Sequence, residues 1–156
     1  MVARISISRP IDVRLLDKGL SVGEALAAFN AAHREAGGVV SFLGKVRPEG
    51  DVRALELTHY EPLTLPGMQA VTEDAADRFQ LVGALAWHRV GVMTPGDAIV
   101  LVAAAARHRR DAFQAADFLM DHLKSAAWFW KRERRADGWH WIEPREADHT
   151  DRERWS

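Results

Sequence analysis

Nine consecutive residues, Ala98 to Ala106, are apolar. The run is too short to span a bilayer. It reads as a central strand buried on both faces. Such a strand needs partner strands on either side and a covering layer above and below it. The chain has 156 residues, of which 47% are hydrophobic, so it can supply one domain and one core. No linker or internal repeat divides it, and residues 1–156 are expected to form a single domain.

The flanking sequence supplies both kinds of element. Residues 4–8 and 11–15 read as short strands around Pro10. Ser21-Val22-Gly23-Glu24 has capping-box spacing, and Val22, Ala25, Leu26, Phe29 and Ala32 then mark one helical face. Gly37-Gly38 is expected to end that helix. Residues 39–47 and 52–60 read as two strands around the turn Pro48-Glu49-Gly50-Asp51, which suggests a hairpin. Glu61 to Pro66 carries two prolines and reads as a loop; a helix follows over 67–79. Leu81 to Gly91 is a further strand, and Thr94-Pro95-Gly96-Asp97 has the spacing of a type II turn. A long helix follows from Arg109 to about Ala127, with Phe113, Ala116, Met120, Leu123 and Ala127 as its core stripe. Aromatic runs over 128–133 and 139–143 bracket Asp137-Gly138, a hairpin signal. The polar end, residues 148–156, is expected to fray. Strands and helices in this mixed order fit an α+β fold better than a regular βαβ array.

Composition removes several chemistries. The chain has no Cys, which excludes disulfides, a thiolate nucleophile and Cys-ligated metal. None of its seven His falls in a metal-binding spacing, so no metal and no cofactor is expected. Gly38 to Lys45 imitates a phosphate loop, but its glycines are one residue too far apart and Val46 replaces the required hydroxyl. No serine elbow occurs. The N-terminus has no signal-peptide core and no run is long enough to cross a membrane, so a cytoplasmic protein is expected.

The net charge is -1, so an anion site must come from local clustering of cations. Arg107-His108-Arg109-Arg110 lies where the buried strand hands over to a helix, whose first N–H groups favour anions. Lys124 sits at the edge of the long helix's apolar stripe. Partly desolvated, it could serve as acid, base or nucleophile; the ordinary alternative is snorkelling. Lys131 returns to within about 20° of Lys124 if the helix continues. If 128–133 is a strand, Lys131 points with Phe129 instead. Six Trp occur, four of them between Trp128 and Trp141. That cluster reads as a hydrophobic pin for the hairpin, or else as a stacking platform for a flat heterocycle or nucleic-acid base.

Several segments together resemble one family: Gly38 to Arg47, His88-Arg89-Val90-Gly91, Pro95-Gly96-Asp97, His108 to Phe113, Phe118 to Lys124, Phe129-Trp130-Lys131-Arg132-Glu133 and Trp141 to Arg145. In this order they are similar to the large, catalytic subunit of molybdopterin synthase. The resemblance runs from about residue 38 to 148 and is loose before that. It implies an α/β hammerhead-type fold with an additional antiparallel β subdomain. It implies a sulfurtransferase of molybdenum cofactor biosynthesis, which turns cyclic pyranopterin monophosphate into the dithiolene molybdopterin. The sulfur donor would be a small ubiquitin-like carrier ending in a Gly-Gly thiocarboxylate, within a heterotetramer built on a homodimer. A chain without Cys fits a sulfur that arrives on a partner.

Carried over position by position, the resemblance makes Lys124 and Lys131 catalytic. It assigns substrate binding to Phe42, Arg47, His108, Arg109, Met120 and Arg145. Three departures stand out, one of them Thr58 in place of an acid. Residues 61–65 separate Thr58-His59-Tyr60 from Pro66-Gly67-Met68, where the family runs on directly, and Trp128 replaces a usual proline. The alternative is a non-catalytic nucleic-acid or anion-binding module.

Overall fold

The computed structural model describes residues 9–125, 128–143 and 146–156. The apolar run forms strand β6 (Ala98–Ala106), flanked by β4 (Gly83–Arg89) and β2 (Gly38–Lys45). With β1 (Ile11–Leu16) they make a sheet ordered β1-β4-β6-β2. β1 runs parallel to β4, and the other pairings are antiparallel. Side chains alternate along β6, as the pleat requires. Val100, Val102, Ala104 and Ala106 face the core beneath α2 (Glu61–Arg78) and α3 (Arg109–Ser125). Leu101, Ala103 and Ala105 face α1 (Val22–Ala32) with Ala25 and Phe29. The strand is therefore covered on both faces, as its composition demands.

Among the described residues the remaining strands form a second, wholly antiparallel sheet. Its order is β5 (Gly91–Met93), β3 (Ala54–His59), β7 (Phe129–Arg135), β8 (Gly138–Ile142). Val46, Leu55, Leu57 and Met93 form its core. Phe129 packs against this core and against that of the first sheet. The architecture is the expected α+β, with an added antiparallel sheet.

Several local expectations are corrected. β2 and β3 do not form a hairpin: β2 pairs with β6, and β3 pairs with β5 and β7. The apolar β6 is a better partner for Val40 and Phe42 than the half-polar β3. Helix α1 begins at Val22, but the Ser21 hydroxyl makes no capping bond. The helix ends at Ala32, before Gly37-Gly38. Gly37 is required for close approach instead, since a Cβ there would run into the Arg107 carbonyl oxygen.

Residues 61–66 are helical. Pro62 occupies the first turn of α2, where no intrahelical donor is needed. The buried Thr64 hydroxyl accepts the Tyr60 N–H at 3.1 Å and reaches the Trp128 carbonyl oxygen at 2.8 Å. These contacts secure the start of the helix despite Pro66 inside it. On α3 the buried stripe is Ala112, Ala115, Ala116, Phe118, Leu119 and Leu123, and Phe113 is 61% exposed. Ala127 and residues 4–8 lie outside the described residues.

The polar end is ordered as α4 (Glu146–Glu153). The Trp155 indole N–H donates to Asp121 at 2.6 Å, and its ring stands edge-on to Phe79 and Phe118. Arg154 donates to the same carboxylate. Polarity suggested fraying; one aromatic anchor reverses it. Trp155→Ala should cost about 2 kcal/mol, below the roughly 3–5 kcal/mol of a fully buried aromatic because the ring is only partly buried. Thermal melts and limited proteolysis near residue 150 check this; an unchanged melting point and cleavage pattern would contradict the anchor.

Candidate active site

Lys124 lies in the last turn of α3, one turn after Met120 and next to the buried Leu123. Lys131 lies on β7, in register between Leu57 and Ile142. It is on a strand, so it points with Phe129, the strand alternative. What relates the two lysines is His88 near the end of β4. His88 is buried, and its ring stacks on Phe129 at 4.1 Å between centroids. The charges of both Lys124 and Lys131 act on it. The end of β4, the end of α3 and the start of β7 thus converge on one imidazole.

Burial is the main reason the His88 pKa falls from 6.5 to about 4; its hydrogen bond to Arg89 opposes the fall, while Lys124 and then Lys131 reinforce it. The ring is neutral at pH 7. Because the folded pKa lies below the unfolded one, the stabilisation is complete above about pH 6.5 and is lost as pH falls toward about 4. Its full extent is about 3 kcal/mol. Urea midpoints for wild type should therefore fall more steeply between pH 7 and 4.5 than those for His88→Gln; parallel curves would contradict this.

Lys124 and Lys131 are exposed in the single chain. The desolvated lysine that the sequence allowed is therefore not produced by this chain alone. Phe42 lies on β2 in register with Val102, on the α3 side of the sheet, and is 44% exposed. Gly44 leaves room beside its ring, where a Cβ would meet Val100 and Phe42. Arg47 follows Val46, whose N–H and carbonyl bond to Asp97 and Gly96 at the start of β6. Helix α3 leaves the far end of β6 and runs back over β6 and β2. Its last turn thus returns to the end that holds Arg47, and Met120 lies on the same side, partly buried.

His108 and Arg109 are not brought to this place. Arg109 begins α3, fifteen residues before Lys124, and His108 immediately precedes it. At 1.5 Å per residue that is about 22 Å along the helix, beyond side-chain reach. Both are exposed, and the Arg109 backbone lies against Gly38 at the start of β2. Arg145 lies outside the described residues.

His88 is the residue the sequence reading passed over, treating it as part of a segment and not as a site. Its signal was legible: in Ala84, Ala86, His88 it is the polar member of a buried strand face. Trp130, Trp139 and Trp141 do not form a hydrophobic pin. They are 48%, 37% and 67% exposed on the outer face of the second sheet. Arg132 lies over Trp139 and Trp141 and bonds Glu56 at 2.6 Å, so its charge is already answered. A cavity of about 580 Å³ lies under α1, lined by Phe29, His33 and Trp87, away from the lysines. Among the described residues no group of side chains could hold a metal ion, and no helix is long and apolar enough to cross a membrane.

Comparison with known proteins bears on the family and the fold. A family model described as "MoaE protein" matches residues 15–126. The molybdopterin synthase catalytic subunit of Caulobacter vibrioides is 47% identical over 144 residues, covering 92% of this chain and 96% of that one. The solved molybdopterin cofactor biosynthesis protein E of Burkholderia multivorans superposes with a TM-score of 0.81 at 35% identity, covering 94% and 97%. The Helicobacter pylori complex of subunits 1 and 2 of molybdopterin-converting factor contains a chain of the same fold, with a TM-score of 0.74 at 21% identity, covering 85% and 91%.

Proposed function

The chain belongs to the MoaE protein family, and from that premise we propose that it is the catalytic subunit of a molybdopterin synthase. It transfers sulfur from the C-terminal thiocarboxylate of a small ubiquitin-like carrier to cyclic pyranopterin monophosphate, forming the dithiolene. The observation that carries this reading at the site is the meeting of β4 and β7 at the His88–Phe129 stack, with Lys131 on the Phe129 side of β7 and Lys124 one residue after Leu123, which packs in the same core as Phe129. Both the donor tail and the substrate phosphate are anions. Two ammonium groups with Arg47 nearby suit them, because charge-assisted hydrogen bonds strengthen as water is displaced. Lys124 serves as the acid–base group, and Lys131 and Arg47 hold the anions. Phe42 and Met120 supply apolar contact. The carrier's tail and the substrate provide the desolvation that the single chain lacks. Residues 1–156 act as one domain, a reading supported by the packing of Phe129 into both cores. The setting is the cytoplasm.

A homodimer accounts for His108 and Arg109. β2 is an edge strand, and Val39, Phe42 and Leu43 on it are exposed. An unpaired apolar edge is a template for another strand. Two β2 strands pairing antiparallel across a two-fold axis would set the start of one against the end of the other. The second copy's His108 and Arg109 would then approach Lys124 and Arg47. Leu43→Lys, at that edge, should shift a dimer toward monomer in sedimentation; an unchanged dimer would place the interface elsewhere.

The test of function is reconstitution. The purified chain, a Gly-Gly thiocarboxylated carrier and cyclic pyranopterin monophosphate should yield dithiolene product. No product with a competent carrier would overturn the reading.

A further inference from the structure

The register between β2 and β6 slips after Gly44: Gly44 faces Val100 and Lys45 faces Ala98, skipping Ile99. Past the slip the backbone is gripped again at Val46. Its N–H donates to the Asp97 carbonyl at 2.9 Å, and its own carbonyl accepts the Gly96 N–H at 2.8 Å. The Val46 side chain is buried with Leu55, Leu57 and Met93 in the core of the second sheet. Arg47 leaves from this grip. The turn that makes it, Thr94 to Asp97, is closed by one carboxylate. Asp97 Oδ2 accepts the Thr94 N–H at 2.9 Å and the Thr94 hydroxyl at 3.3 Å. That oxygen also lies 3.5 Å from Nη1 of the largely buried Arg89, the residue after His88. Among the described residues the buried Arg89 Nε meets no acceptor, so Asp97 supplies this guanidinium with its counter-charge. Between Thr94 and Asp97 the backbone turns at Gly96, whose φ of +96° disfavours any side chain.

We propose that Asp97 is the positioning residue for Arg47. Its carboxylate shapes the turn, the turn holds both backbone groups of Val46, and that grip sets where Arg47 presents its guanidinium to the substrate phosphate. This rests on the reading of Arg47 as an anion-holding group. An arginine on a free chain end must give up both backbone and side-chain freedom when it binds. Here the backbone before Arg47 is fixed from two sides, by the burial of Val46 in the second core and by Arg89 on β4 of the first sheet. Asp97 does not touch the substrate. Its charge would repel a phosphate, and it is already engaged by Thr94 and Arg89.

A double-mutant cycle separates this role from a merely structural one. Asp97→Ala should raise KM for cyclic pyranopterin monophosphate about tenfold, the low end for a hydrogen bond to a charged group, and leave kcat within about threefold. In an Arg47→Ala background the same change should move KM by less than about twofold, because nothing is left to position. Asp97→Asn keeps an acceptor for Thr94 and should hold KM within about threefold of wild type. Equal rises in KM in both backgrounds, or a wild-type KM for Asp97→Ala, overturn the proposal. Should Asp97→Ala fail to fold, the wild type still decides. Amide hydrogen exchange of the folded chain should show Val46 and Gly96 protected about a hundredfold or more over an unstructured peptide, and Asp97→Asn should keep that protection. Free exchange at either amide overturns the proposal. Exchange needs no turnover, so a chain that shows the grip but forms no dithiolene fails the activity reading alone.

Discussion

Lys124→Ala is expected to lower dithiolene formation by about a hundredfold or more, the range lost with a general acid–base group. The fold should survive, because the side chain is exposed in the last turn of α3 and such substitutions usually cost little stability. Thermal stability and carrier binding therefore serve as controls. Lys124→Arg sharpens the result. It keeps the positive charge but cannot give up a proton near neutral pH. If Lys124 only neutralises an anion, the arginine variant retains most activity; if it exchanges a proton, the variant binds substrate and fails to turn over. Lys131→Ala should act mainly through weaker binding, seen as a raised KM, since the charges that remain can still complete the chemistry. A Lys124→Ala variant with wild-type turnover would remove Lys124 from the mechanism.

Much of this layout was legible in the residues. The apolar run 98–106 announced a doubly covered strand, and the alternation around Asp137-Gly138 announced the second hairpin. Other features depended on contacts that no local pattern carries. The two prolines at 62 and 66 signal a loop, whereas Pro62 sits in the first turn of a helix whose start Thr64 ties to Tyr60 and to the Trp128 carbonyl. Phe113 satisfied helical periodicity, yet its side of α3 stays exposed and the buried stripe runs through Ala112, Ala115, Ala116, Phe118, Leu119 and Leu123, against a sheet face of alanine and valine. At the site, spacing could place Lys124 and Lys131 only as alternatives. Convergence became visible once β4, α3 and β7 met at His88 and Phe129. His108 and Arg109 belong to the same motif set by resemblance. In one chain they nevertheless lie at the opposite end of the helix.

That separation leads to the second large effect. If the second copy supplies His108 and Arg109, a Lys124→Ala chain and an Arg109→Ala chain fail at different halves of each site. Mixed dimers then contain one site with both defects and one with neither. Random reassortment makes half of the dimers mixed, so about a quarter of all sites should regain function. Neither variant alone should do so. The experiment coexpresses the two chains with different tags, purifies the doubly tagged dimer and measures dithiolene formation. The isolated mixed dimer should show about half the wild-type rate per dimer, since one of its two sites is intact. Recovery would require that Lys124 and Arg109 act across the subunit boundary, because no arrangement within one chain can repair two separately inactive chains. A mixed dimer as inactive as its parents would instead mean that Arg109 serves its own chain. The about 22 Å along α3 would then have to be closed by substrate or carrier, a geometry that fifteen residues of regular helix oppose.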